Sequence, residues 1–151
     1  MRKFWIVPLM FLLVLPSVPV AAQQAGGVQV TGTTVNRTTR YRVLPGQRGA
    51  FDQDVMNNLI PIYEEYKKAG IITEYGIRNN VTTANANDWN VAIILTYANF
   101  AALDNLGTRQ NPILLKHYGS AEKQQAAAQA RNQTRTVVQS YLSQAQRYSR
   151  R

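Results

Sequence analysis

The clearest pattern in the chain is an unbroken alternation of large apolar side chains near its middle. These side chains occupy every second position: Trp89, Val91, Ile93, Leu95 and Tyr97. Strict alternation over this length predicts a β-strand. The positions between them include Ala92 and Ile94 beside Asn90 and Thr96, so the opposite face is largely apolar too. A strand that is apolar on both faces is expected at the centre of a sheet that is covered on both sides.

Two weaker alternations predict further strands at Thr38–Leu44 and Ile71–Asn79. In each strand a tyrosine and an aliphatic residue share one face, and charged residues share the other. The charged positions are Arg40 and Arg42 in the first strand and Glu74 and Arg78 in the second.

A long helix is predicted between these two strands, over Gln47–Ala69. Phe51, Val55, Leu59 and Tyr66 recur at helical spacing and form one apolar stripe. Pro61 should kink this helix, because proline cannot donate a hydrogen bond to the carbonyl four residues earlier.

The rest of the chain is rich in helix signals, although its last part is ambiguous. Asn99 is a predicted N-cap for a helix that begins at Phe100 and breaks near Gly107, and Ser120 is a predicted N-cap for a long Ala/Gln-rich helix. The segment Asn111–Gly119 fits no single element. Apolar residues spaced by four and three from Thr134 to Tyr148 favour more helix. The β-branched run Thr136-Val137-Val138 permits a short fourth strand instead.

The N-terminus has the three parts of a secretory signal peptide. Arg2 and Lys3 precede the apolar run Phe4–Val18, and Val20-Ala21-Ala22 offers small residues for cleavage. A retained membrane anchor would need about 20 apolar residues, and this shorter run contains Pro8 and Pro16 and is followed directly by Pro19. We therefore expect residues 1–22 to be removed by cleavage near Ala22. The mature protein would then be periplasmic or secreted, without stable membrane insertion. Residues 23–37 would form a flexible lead-in.

Composition narrows the chemistry that the exported chain can perform. It has no cysteine, which excludes disulfides, thiolate metal sites and cysteine nucleophiles. The net charge is +9, and removing Arg2 and Lys3 leaves 15 basic and 8 acidic side chains, or +7. A basic surface attracts polyanions, but export argues against nucleic acid as a partner. His117 is the only histidine and belongs to no recognisable catalytic or metal-binding motif, so we expect no cofactor.

Two stretches carry a resemblance to a known superfamily. Val43-Leu44-Pro45-Gly46 through Phe51 is similar to a strand end that leads into a first helix, and Asp88–Asp104 is similar to a central strand that runs into an aromatic-led helix. Together they resemble the ferredoxin-like plait of the dimeric α+β barrel superfamily. The resemblance implies an α+β fold with an antiparallel sheet and helices on one face. The plait would span residues 38–119, and a C-terminal helical arm with a long helix would follow over residues 120–151. The alternative is that this arm also contains the fourth strand of the plait.

The same resemblance implies a homodimer in which two sheets meet face to face. Relatives include small monooxygenases, haem-handling proteins and many proteins without known activity, so function does not follow from fold. We predict noncatalytic binding of a small anionic or apolar ligand between the sheets. The alternatives are a cofactor-independent monooxygenase and an envelope-binding protein that uses the basic C-terminal arm.

The candidate ligand-binding residues are those that the predicted strands place on one sheet face: Arg40, Arg42, Glu74, Arg78 and Asn90. In a monomer this face would simply be solvated. In a facing dimer the arginines would line a cavity and could hold a carboxylate through paired hydrogen bonds.

Overall fold

The computed structural model describes residues 28–82, 85 and 87–150. The predicted signal peptide and the first residues of the lead-in lie outside this part. The strands within it are β1 Val28–Thr31, β2 Val35–Val43, β3 Glu74–Asn79, β4 Val91–Tyr97, β5 Arg135–Gln144 and β6 Arg147–Arg150. The helical segments are α1 Arg48–Asp54, a π-helical turn Val55–Leu59, α2 Ile60–Lys68, a 3-10 turn Phe100–Leu103, α3 Leu106–Tyr118 and α4 Ala121–Thr134.

Four strands form an antiparallel sheet in the order β3-β4-β2-β5. Counted from β2, this order and the chain order βαββαβ are those of the ferredoxin-like plait. The predicted α+β class, antiparallel sheet and placement of helices on one face are therefore confirmed. The strand bounds are shorter than predicted for β3 and β4, and β2 begins at Val35 rather than Thr38.

The core lies between the helices and one face of the sheet. Phe51, Val55 and Leu59 pack with Val91 and Ile93 in one cluster. A second cluster joins Ile62, Tyr66, Ile71 and Ile72 to Val35 and Tyr97. The predicted helical stripe is therefore the buried face of α1 and α2. The helix is irregular at the π-helical turn directly before Pro61, as expected where proline leaves a carbonyl without its usual donor.

The C-terminal arm differs from the long helix that its apolar spacing favours. Helix α4 ends at Thr134, and β5 then pairs with β2 along its whole length, from Val35 to Val43. The fourth strand, which was the alternative, therefore exists as β5 and completes the four-stranded sheet, and the helix of the C-terminal arm is limited to Ala121–Thr134. The helical period is misleading because β5 is an edge strand with little burial on either face: Val137 is 61% and Leu142 is 45% exposed.

The two ends of the described chain meet in a second, two-stranded sheet. β1 pairs antiparallel with β6, with Thr31 opposite Arg147. Gly32 connects β1 to the turn before β2 at φ 140°, and a Cβ atom there would lie 2.2 Å from the carbonyl oxygen of Ala145. This close approach requires glycine. We call the β1–β6 pair the β-arm; it occupies part of the segment that was predicted to be a flexible lead-in.

The helix signals after β4 are correct in kind but displaced in position. Asn99 caps a 3-10 turn and not an α-helix, with the Ala102 N–H donating to its Oδ1 at 2.9 Å. Gly107 does not end a helix, since α3 begins at Leu106 after a left-handed Asn105 and covers the ambiguous segment. Ser120 caps α4 as predicted, and accepts a hydrogen bond from the Lys123 N–H.

Tyr97 provides a test of the core. Its side chain is fully buried, its hydroxyl has no hydrogen-bond partner in the described part of the chain, and burial raises its pKa. An unpaired buried hydroxyl costs about 1–3 kcal/mol. We therefore expect Tyr97→Phe to raise the free energy of unfolding by about 1 kcal/mol, measured by urea denaturation.

The control for this prediction is Tyr75→Phe. The Tyr75 hydroxyl donates to Glu64 Oε1 at 2.6 Å, so its removal should lower the free energy of unfolding by about 1 kcal/mol. A loss of stability in Tyr97→Phe comparable to that in Tyr75→Phe would contradict the expectation.

Candidate functional site

The sheet face opposite the helices carries the residues that were predicted to bind a ligand. Strand alternation and register place Arg40 and Arg42 of β2 and Glu74 and Arg78 of β3 on this side, which we call the open face. Ala92 of β4 lies directly between Arg40 and Arg78, paired with Arg40 on one side and Arg78 on the other. The two arginines are thus separated by two strand spacings, about 10 Å between their Cα atoms.

Arg40 is held between two aromatic rings. Its guanidinium carbon lies 5.0 Å from the ring centre of Trp89 and 5.4 Å from that of Tyr141. Its Nη1 also donates to Gln139 Oε1 at 3.1 Å. These contacts fix the position of a cation without neutralising it, because an aromatic face and an amide oxygen carry no net charge. The arginine is therefore held in place and keeps its positive charge.

The other two arginines of the open face flank this position. Arg42 donates from Nη1 to Asn87 Oδ1 at 2.8 Å, another neutral acceptor. Arg78 is exposed on the edge strand β3. The Asn87 amide brings no negative charge to Arg42, and Arg78 is exposed at the sheet edge, so both side chains keep their positive charge.

Asn90 has a different role from the one predicted for it. Its side-chain Oδ1 accepts from the Val43 N–H at 2.8 Å, and its Nδ2 donates to the Val43 carbonyl at 3.2 Å. The amide thereby extends the β2–β4 ladder beyond Tyr41, whose carbonyl accepts the Asn90 N–H. Both ends of the side chain are used within the protein, which makes Asn90 a structural residue of the site.

Glu74 also turns away from the arginines. Its Oε1 accepts from the Tyr75 N–H at 3.1 Å and from Lys67 Nζ at 3.2 Å. The Tyr75 N–H, followed by Lys67, lowers the pKa of this carboxyl group. Glu74 is therefore ionised at neutral pH but is balanced by Lys67, and the open face keeps a net positive charge.

The other half of the open face carries no arginine. Ile94 lies between Thr38 and Gly76 on the neighbouring strands. Beyond it, Thr96 donates to Asn36 Oδ1 at 2.8 Å and lies opposite Glu74, whose charge Lys67 balances. The face thus combines a cationic half around Ala92 with a less polar half around Ile94.

A buried ionic cluster on the helix side was not anticipated from the sequence. Arg131 donates from Nε to both oxygens of Asp54, at 3.1 and 2.8 Å, and its Nη2 bonds the Tyr118 hydroxyl. Burial opposes the charge of Arg131, but the hydrogen bonds to Asp54 and Tyr118 outweigh it and raise the pKa. Arg135 lies next to the same carboxylate. Both arginines belong to the basic C-terminal arm of the sequence analysis, and the structure packs them against α1 through Asp54.

Two other expectations concern His117 and metals. His117 Nε2 lies 3.0 Å from Asn58 Oδ1, and its ring packs edge-on against Tyr118 at 4.7 Å. This is a structural setting. Among the described residues, no group of three metal-ligating side chains is close enough to hold an ion. No helix in this part of the chain is both long and apolar enough to cross a bilayer.

Asn90 also allows a test of the site's construction. We expect Asn90→Ala to lower the free energy of unfolding by about 1–3 kcal/mol, because it leaves the Val43 N–H and carbonyl unpaired. Asn87→Ala is the matched control, since this exposed amide bonds only a side chain, and it should change stability by less than about 0.5 kcal/mol. Equal unfolding midpoints for the two variants in urea would show that the amide bridge contributes nothing.

No family model and no curated protein matches the sequence. Several solved structures are similar at low identity. HapK from Hahella chejuensis matches with a TM-score of 0.49 and 14% identity, over 72% of this chain and 90% of that chain. An ethyl tert-butyl ether D family protein from Bacillus halodurans matches with a TM-score of 0.42 and 12% identity, over 74% and 96%. A dimeric ferredoxin-like protein from an uncultured marine organism matches with a TM-score of 0.43 and 13% identity, over 79% and 96%.

These similarities concern the architecture of the chain. The assignment of the fold rests on the chain's own strand order, β3-β4-β2-β5, with the helices on one face. By that order, the chain has a ferredoxin-like α+β fold, which is the architecture that the resemblance implies.

Proposed function

We propose that the mature protein is an exported, noncatalytic binding protein for a small amphiphilic anion. The carboxylate or equivalent group would contact Arg40 and Arg78, and the apolar part would lie toward Ile94. A second copy of the chain would cover the ligand by placing its own open face over it. Export and cleavage near Ala22 belong to this proposal, as does the periplasmic or secreted location.

The observation that carries the proposal is the placement of Arg40 and Arg78 on either side of Ala92. Ala92, which lies on the strand between them, has a small side chain and is itself buried, at 3% exposure. Arginine presents several N–H donors in a planar arrangement that suits a carboxylate. Arg40 is already ordered by Trp89 and Tyr141, which reduces the entropy lost on binding.

The charge of the open face supports coupling between the ligand and the dimer. Two facing copies would bring the arginines of both sheets together, and like charges across an interface oppose association. A bound anion would reduce this repulsion. The residue pattern of β4 gives a second reason to expect a second copy over the open face. β4 has apolar residues on the open face as well as on the helix side, and this is typical of a strand that is covered on both sides.

Octanoate is a suitable probe, since it joins a carboxylate to an apolar tail. We expect saturable octanoate binding by titration calorimetry and a larger dimer fraction by analytical ultracentrifugation. Arg78→Gln should weaken binding about tenfold, because it removes a charge-assisted hydrogen bond worth about 1.5 kcal/mol. Octanol, which has the same tail without the charge, should bind more weakly than octanoate.

The matched control is Arg147→Gln, which removes the same charge from an exposed position of the β-arm. It should leave octanoate affinity within about twofold of the parent protein, since exposed charges that lie away from the contact act weakly. Equal affinities for Arg78→Gln and Arg147→Gln, or no octanoate binding at all, would refute the proposed site.

A further inference from the structure

Two arginines share one carboxylate on the helix side of the sheet. Asp54 accepts two hydrogen bonds from Arg131 and a third from Asn58 Nδ2 at 2.8 Å. Arg135 approaches the same carboxylate only to 3.9 Å, between its Nη1 and Asp54 Oδ2. The acceptor capacity of Asp54 is thus used mainly by the other two residues, and the group of one acid and two arginines has a net charge of +1.

Arg135 is buried although its charge is not fully compensated. Its side chain is 9% exposed. The guanidinium carbon lies 4.5 Å from the ring centre of Tyr41 and 5.3 Å from that of Phe51. Its Nη1 has no hydrogen-bond partner in the described part of the chain. A buried charge without adequate partners is costly, so an additional acceptor near this group would be strongly favoured.

A cavity lies directly beside this guanidinium. It has a volume of about 490 Å³ and is bounded by α4, β5 and β2. Arg135 and Arg131 line it together with Tyr41, Asn132 and Thr136. The side chains of Arg131, Arg135, Tyr41 and Asn132 offer cationic donors, a hydroxyl group and an amide, and no acidic side chain lies among the lining residues. The cavity is on a different side of the sheet from the open face, which Arg40 and Arg78 define.

We propose that this cavity is a second binding site, selective for an oxyanion of the phosphate class. The oxyanion would supply the acceptors that Arg135 lacks and would balance the excess charge of the cluster. Asn132 would donate to one of its remaining oxygens. Since the cavity exceeds the size of a free phosphate ion, a phosphate ester on a small organic molecule also fits the same chemistry.

The most direct test measures phosphate binding to the whole mature protein by titration calorimetry at fixed ionic strength. Arg135→Gln should abolish it. Because this change alters a buried cluster, a second variant leaves the cluster intact: Asn132→Asp adds a negative charge at the exposed rim of the cavity. We expect Asn132→Asp to weaken phosphate binding at least tenfold.

The matched control for the charge is Gln133→Glu, since Gln133 is an exposed neighbour on α4 outside the lining of the cavity. It adds the same charge and should change phosphate affinity less than twofold. Phenyl phosphate distinguishes the sources: tighter binding than phosphate indicates an organic ester, and equal binding indicates the free ion.

Three outcomes would overturn this second site: no saturable phosphate binding, equal weakening by Asn132→Asp and Gln133→Glu, or loss of phosphate binding in Arg78→Gln. The last outcome would place the phosphate on the open face. Since octanoate binding is tested separately with Arg78→Gln, either site can fail without the other.

Discussion

The pairing of β2 with two partners is the constraint on which the rest of the structure depends. β2 bonds β4 on one side and β5 on the other, over nearly the same residues. This double ladder satisfies the backbone groups of the central strand and fixes its register. The register in turn decides which side chains face the helices and which face outward. A shift by one residue would exchange Tyr41 and Val43 with Arg40 and Arg42, and would place guanidinium groups in the core.

The same pairing connects the two proposed anion sites. By closing on β2, β5 places Arg135 over Tyr41 and sets α4 against α1, where Arg131 meets Asp54. Arg40, the residue before Tyr41, points to the other side of the sheet, toward Tyr141 and Trp89. The register between β2 and β5 shifts between Arg40 and Tyr41. Adjacent residues of one strand therefore serve two separate cationic surfaces.

The parts of this structure that the sequence predicts well are those with strong, local patterns. The apolar alternation around Ile93 and the helical stripe that includes Phe51 and Leu59 mark two faces that pack against each other. Because each face is buried, apolar residues recur along the sequence with the period of a strand and of a helix. The open-face position of Arg40 and Arg78 follows from the same alternation. β5 is different: its exposed valines and leucine leave no period of two, and its identity comes from the distant strand that it pairs with.

Residue roles were harder to predict than elements, because they depend on neighbours far along the chain. Asn90 looks like a ligand contact until Val43 is placed within reach of its amide. In the sequence Arg135 is one of several cations of the C-terminal arm, and only the fold brings Asp54 and Tyr41 beside it. Neither contact can be recognised in the neighbouring sequence, since a single charged or amide side chain does not recur with a period that indicates burial.

The late position of β5 in the chain affects how the fold can form. Thr39 and Ser140 touch across the sheet although 101 positions separate them, and the β-arm joins segments that are still farther apart. A chain that is made or exported from its N-terminus presents β2 long before either β5 or β6 has emerged. Until then, one edge of β2 lacks its partner and the place of Arg135 beside Asp54 is empty. Closing such distant contacts is slow, and an open strand edge invites association with other chains. We therefore expect correct folding to require that the open edge of β2 is kept from pairing with other chains until β5 and β6 have emerged.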